Sequence, residues 1–143
     1  LKKTFVILIA ALIAECGLYD RGFAAETGLP AADGSTTRVV VLGTGNPSAD
    51  PERWGPAVAI VVNDRAYLVD SGPGVVRRAA AAEKNGIAAL KAKELKIVFF
   101  THLHSDHTLG YPDLIFSPWV LGRKDALEAY GPHGLKSMTN HIE

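Results

Sequence analysis

Thiol chemistry is almost absent from this sequence, which holds one cysteine, Cys16, among 143 residues. A single thiol excludes an internal disulfide and a thiolate metal site, so any metal must be held by histidine and carboxylate. Charge of one sign is lacking as well. Fifteen basic and 15 acidic residues cancel, and setting aside residues 1–25 removes Lys2, Lys3 and Arg21 against Glu15 and Asp20, leaving 12 basic and 13 acidic. A protein that grips many phosphates shows a basic excess or stripe, so this balance argues against a long nucleic acid as substrate. Long apolar runs are missing too. Phe5 to Ala14 is ten residues, about 15 Å as a helix and so half a bilayer core, too short for a membrane span. Lys2 and Lys3 precede it and Gly22-Phe23-Ala24 follows, which reads as a secretory leader cleaved after Ala24 or Ala25. The expected mature protein starts near Glu26, is periplasmic or secreted, and has no membrane attachment. A buried amphipathic helix competes with that reading, and a lipoprotein anchor at Cys16 is opposed by Glu15 just before it.

What the sequence does have is a concentration of histidine. Thr101-His102-Leu103-His104-Ser105-Asp106-His107 carries three of the five histidines and a carboxylate within six residues. Such density is hard to explain as packing, whereas imidazole and carboxylate suit zinc, manganese or iron. Lys96-Ile97-Val98-Phe99-Phe100 before it reads as a buried strand, which places the ligands where a strand ends. His102 and His104 are two apart and could share one ion at about 2.1 Å each. If the chain turns helical after Ser105, Asp106 and His107 swing to a different side and could hold a second ion. Two ions about 3.5 to 4 Å apart can polarise an ester and generate hydroxide between them. The bland alternative is a set of surface histidines with Asp106 as a helix N-cap.

The rest of the chain supplies layers. Glu26 to Thr36 is a Gly- and Pro-punctuated lead-in, and Arg38 to Gly43 reads as a strand running into Thr44-Gly45-Asn46-Pro47. No Rossmann pattern follows that Gly-x-Gly. Ala57 to Val62 and Arg65 to Asp70 are β-prone runs joined by Asn63-Asp64, an antiparallel hairpin. Pro73 suits a first helical turn, Val75 to Lys84 an alanine-rich helix, and Gly86 its stop. Ile87 to Leu95 is a short helical piece. Past the histidines come an apolar stretch from Leu109 to Leu121, a short strand over Leu127 to Tyr130, and a helix over Gly134 to Ile142. Alternating strands and helices define an α/β layered class.

His-x-His-x-Asp-His after a hydrophobic strand, with Gly110 beyond it, resembles the metal-binding motif of the metallo-β-lactamase superfamily, most closely its ribonuclease Z and arylsulfatase-like branch. Leu42-Gly43-Thr44-Gly45 is similar to that branch's opening strand and loop. The resemblance implies an αββα sandwich of which this chain is the first half: a leader over 1–25, a lead-in over 26–36, and the N-terminal part of the domain over 37–143. It implies two divalent ions, zinc foremost, with His102 and His104 on one, Asp106 and His107 on the other, and Asp106 also handling a proton of the attacking water. Asp70, closing a strand before Gly72, is expected to support the metal loop by hydrogen bonds without being a ligand. Arg53 and Trp54 fall in a loop expected at the mouth of the site, Arg53 to bind an anionic ester and Trp54 to form an apolar wall.

A catalytic zinc normally has three protein ligands and an open position, and this loop offers two per ion. His133 and His141 match none of the family's other ligand motifs, so the remaining ligands are expected beyond residue 143. The function expected is hydrolysis of a phosphodiester or sulfate ester by a metal-activated hydroxide, on a small anionic ester. The leader counts against transfer-RNA processing and for an exported hydrolase. A lactone, thioester or β-lactam hydrolase of the same fold, and a non-catalytic truncated fragment, are the alternatives. Self-association as a homo-oligomer is left open.

Overall fold

Every second residue of Ala57-Val58-Ala59-Ile60-Val61-Val62 is buried, the period of a strand with one face on a core. The computed structural model describes residues 36–143, so the leader and all but the last residue of the lead-in lie outside the described residues. Five strands form one sheet in the order β1-β2-β3-β4-β5: β1 Thr37–Gly43, β2 Ala57–Val62, β3 Arg65–Val69, β4 Ile97–Phe99 and β5 Glu128–Tyr130. The first three are antiparallel, with Asn63 at φ 54 in the two-residue hairpin as its sequence predicts. β3, β4 and β5 run parallel, so the connection between β3 and β4 must cross over the sheet.

That crossover is helix α1, Val75–Lys84, followed by 3-10 turns at Ala88–Leu90 and Ala92–Glu94. Pro73 stands outside the helix, because Gly74 at φ 86 is the cap and turns the chain first. Gly86 at φ 95 closes the far end as expected. After β4 come the one-turn helix α2, Ser105–Thr108, then α3, Tyr111–Val120, then β5 and α4, Leu135–Ile142. Small residues let helix and sheet approach closely: Ala59, Ala66 and Ala79 are buried with Leu68, Val98, Leu90, Leu95 and Leu114. Each fully buried leucine there contributes roughly 1.5–3 kcal/mol.

The opposite face of the sheet stays open among the described residues. A row runs across all five strands through Val41, Val58, Val69, Phe99 and Tyr130, each paired with the next. Val41 is 57% exposed, and the rings of Phe99 and Tyr130 stack at 5.1 Å. One helical layer on one sheet with an apolar reverse side matches the first half of the αββα sandwich that the resemblance implies.

Candidate metal centre

Parallel β3 and β4 end side by side, and the residues that follow them meet. The Asp70 amide donates to Phe99 O at 2.8 Å, one last rung of the ladder. Beyond it Asp70 takes φ 60, a left-handed backbone that turns its carboxylate towards the β4 loop. Ser71 then clasps that loop with both of its backbone groups. Its N–H donates to His107 O and its carbonyl accepts from Gly110 N, each at 2.8 Å. A side chain at Gly110 would put a Cβ 2.8 Å from Ser71 O, so the close approach needs glycine.

The Asp70 carboxylate is buried and every contact it makes is with the histidine loop. Oδ1 accepts from Thr101 N at 2.8 Å; Oδ2 accepts from Thr101 Oγ1 at 2.8 Å and pairs with His107 Nδ1 at 2.8 Å. The carboxylate accepts the proton of His107 Nδ1, which leaves Nε2 with its lone pair uncommitted to Asp70. Asp106, also buried, brings Oδ2 to 3.5 Å from that Nε2. His102 sits in the middle of the imidazoles, its ring 4.6 Å from that of His104 and 4.1 Å from that of His107. The turn into α2 therefore does not carry His107 to a different side: one helical turn brings it back beside His102. Asp106 does not cap this helix; His104 occupies the cap position, and its carbonyl takes Thr108 Oγ1 at 3.0 Å.

Among the described residues no three His, Cys, Asp or Glu donors are arranged to hold one ion. The donor chemistry of the loop nevertheless suits a divalent ion. His107 Nε2 and Asp106 Oδ2 face one another, and His102 and His104 have adjacent rings. His133 is exposed, and His141 Nδ1 bonds to Ser137 O within α4 at 2.6 Å. Neither joins the cluster.

Arg53 and Trp54 border the centre without touching it. Gly55 N donates to Pro73 O and Gly72 N to Pro56 O, so the loop lies against the turn after Asp70. The Trp54 indole covers Gly74 and is 42% exposed, while Arg53 Nε pairs with Asp50 at 3.5 Å in solvent. A cavity of about 900 Å³ lies elsewhere, between β5 and α4.

Two residues that matter here were not singled out from the sequence. Thr101 carries no ligand chemistry of its own in the motif, yet it supplies two of the donors to Asp70. Arg123 sits buried, at 4% exposure, and donates through Nη1 to Leu95 O and Leu114 O and through Nη2 to Ile115 O. Burial lowers its pKa from the ordinary arginine value. Pro118 inside α3 was the available signal, since it has no N–H for Leu114 O and leaves an orphan acceptor that something must satisfy.

Residues 53–140 match the family model of the metallo-beta-lactamase superfamily, and the chain belongs to that superfamily. Its similarity runs to the ribonuclease Z-like branch. Ribonuclease Z of Pyrococcus horikoshii is 38% identical over 104 residues, which is 73% of this chain and 32% of the relative. Ribonuclease Z of Mycobacterium bovis is 42% identical over 82 residues, 57% of this chain and 27% of the relative. The crystal structure of human tRNase Z, short form, superposes with a TM-score of 0.61 at 31% identity, covering 72% of this chain and 37% of that one. The chain thus spans about a third of the length of the curated relatives it matches.

These relatives overturn the expectation of a small anionic ester and no long nucleic acid. They are ribonucleases by name, and RNA is a polymer of phosphodiesters. The charge argument failed because net charge is a sum over a surface, whereas phosphate recognition is local and neutral totals hide it.

Proposed function

We propose that the protein is a metal-dependent hydrolase that cleaves a phosphodiester bond of RNA. The observation that carries this reading is the convergence of His102, His104, His107 and Asp106 at the ends of two parallel strands, with a buried carboxylate behind them. Support for RNA as the substrate comes from the ribonuclease Z relatives. In the proposed assignment His102 and His104 hold one divalent ion and Asp106 and His107 the other, with further ligands supplied from outside this set. Bound ions of this kind lower the pKa of water towards neutrality and neutralise charge on a phosphoryl group.

The chain's own residues do the rest. Asp70 fixes His107 through Nδ1 so that Nε2 keeps its lone pair for a metal. Asp106 presents a carboxylate beside it, placed to accept a proton from the attacking water. Arg53, exposed on the adjoining loop, is assigned to a backbone phosphate, and the exposed face of Trp54 to a base or sugar, since aromatic faces stack on unpaired bases. The leader reading of residues 1–25, which rests on Lys2, Lys3 and the apolar run, makes this an enzyme that meets its RNA outside the cytoplasm.

The test is cleavage of a labelled structured RNA by the full-length protein, beside an aryl sulfate as comparison. RNA cleavage that is lost on chelation, restored by zinc and abolished in His107→Ala is expected. Hydrolysis of the sulfate with the RNA left intact would reject the assignment. Export is tested separately, by mass spectrometry of the N-terminus of secreted or periplasmic material. A mature protein that keeps Phe5 to Ala14 would reject it.

A further inference from the structure

Asp70 does not contact His102, yet the two are joined through one hydroxyl. Thr101 Oγ1 lies 2.8 Å from Asp70 Oδ2, 3.0 Å from Asp70 Oδ1 and 2.9 Å from His102 Nδ1. A threonine hydroxyl has one proton to give and two lone pairs to offer. A carboxylate can only accept, so the hydroxyl proton is committed to Asp70. Thr101 Oγ1 then has nothing left to donate to His102, and the contact of 2.9 Å is a hydrogen bond only if His102 Nδ1 carries the proton.

We propose that Thr101 is a positioning residue that relays the Asp70 carboxylate to His102, fixing it as the Nδ1–H tautomer with Nε2 free to bind a metal. This rests on reading the histidine loop as a metal centre. One buried carboxylate thereby sets the proton position of two imidazoles, His107 directly and His102 at one remove. The arrangement also couples them geometrically, because His102 and His107 have ring centroids 4.1 Å apart and hang from the same anchor. The backbone contributes a separate bond, Thr101 N to Asp70 Oδ1 at 2.8 Å, which holds the loop in place whatever side chain follows. Loop position and ring orientation are therefore separable by substitution.

Thr101→Val removes the hydroxyl and keeps the volume, the β-branch and the backbone N–H; Thr101→Ser keeps the hydroxyl. In the metal-free full-length protein labelled with ¹⁵N-histidine, with the rings neutral, long-range ¹H–¹⁵N spectra report each tautomer. His102 is identified by comparison with His102→Gln. The expected result is Nδ1–H at His102 in the wild type and in Thr101→Ser, and loss of that preference in Thr101→Val, with His107 unchanged in all three as the internal control. Zinc affinity by chelator competition is expected to fall about tenfold in Thr101→Val, within the range known for residues that orient metal ligands, and to recover in Thr101→Ser. A wild-type His102 protonated at Nε2, or a Thr101→Val protein with the wild-type tautomer and zinc affinity, would overturn the relay. Failure of the wild type to bind zinc would instead reject the metal-centre reading, and the tautomer spectra would still decide the relay.

Discussion

The two ends of strand β4 handle charge in opposite ways. At the C-terminal end, Asp70 is buried and spends its lone pairs on the loop that bears the histidines, so that His107, held through Nδ1, keeps Nε2 uncommitted to it. At the N-terminal end the charges close on one another. Lys96 Nζ lies 2.8 Å from Asp125 Oδ2 and 3.6 Å from Glu94 Oε2 in solvent, and Arg123 beneath them gives its two Nη groups to three carbonyls while its Nε stays buried without a partner. A closed set of partners holds a fold together and offers little to a ligand. An anchored set with uncommitted nitrogens can bind one. Clusters of charged residues occur at both ends; what separates them is that only the end that bears the histidine loop has imidazole nitrogens to offer.

Substitution of Asp70 should have the largest effect. Asp70→Asn keeps the shape and tolerates the backbone but loses the anionic acceptor, and zinc affinity should fall towards the upper end of the ~10–100-fold range for orienting groups. Chelator competition measures it; an Asp70→Asn protein that binds zinc like the wild type would erase the contrast between the two ends. Next comes Arg123→Met, which leaves buried carbonyls of Leu95, Leu114 and Ile115 short of donors. A loss of about 2–4 kcal/mol in urea unfolding is expected, with zinc affinity of the folded protein unchanged. Adding Pro118→Ala to Arg123→Met restores an N–H for Leu114 O, and about 1 kcal/mol should return in a double-mutant cycle. Additive losses would show that Arg123 does not stand in for the missing amide.

The smallest effect is expected at Lys96. Its partner Asp125 raises its pKa above the ordinary lysine value, chiefly by hydrogen bonding, and Lys96 in turn lowers that of Asp125. The pair's contribution is present above the ordinary aspartate pKa and lost as pH falls through the depressed one. It persists below the ordinary lysine pKa and is lost as pH rises through the elevated one. Both groups are solvated, so screening leaves little of it, and Lys96→Met should move the unfolding midpoint at pH 7 by no more than experimental scatter. Destabilisation as large as that of Arg123→Met would show that the two kinds of contact at this end are not distinct.

Much of this was legible beforehand, for reasons that can be traced. The hairpin over β2 and β3 follows from two apolar, β-prone runs joined by Asn63-Asp64, and α1 from its alanines and Gly86. The clustering of His102, His104 and His107 follows from their spacing, because side chains this close in sequence are brought together by a single turn. Asp70, which closes a strand before a glycine turn, hydrogen-bonds to Thr101 and His107 of the histidine loop. The parallel pairing of β5 was not foreseeable, since three residues carry no signal of direction. Arg123, in the polar stretch Gly122 to Asp125, reads as solvated until the missing amide of Pro118 is counted. The expectation against a long nucleic acid, which the ribonuclease Z relatives overturn, rested on a sum of charges that says nothing about where they stand.

The backbone at Asp70 restricts what sequences can do at that position. At φ 60 only glycine, asparagine and aspartate are at ease, and of those three only aspartate carries a carboxylate. Glutamate offers the same charge one methylene further out and on a backbone it resists, so it is not a neighbouring solution. A library randomised at this codon and selected for folding should return all three permitted residues; selected for zinc binding, it should return one. Few routes of gradual change lead through such a position, and a homologue that has lost its aspartate there should have abandoned this metal loop altogether.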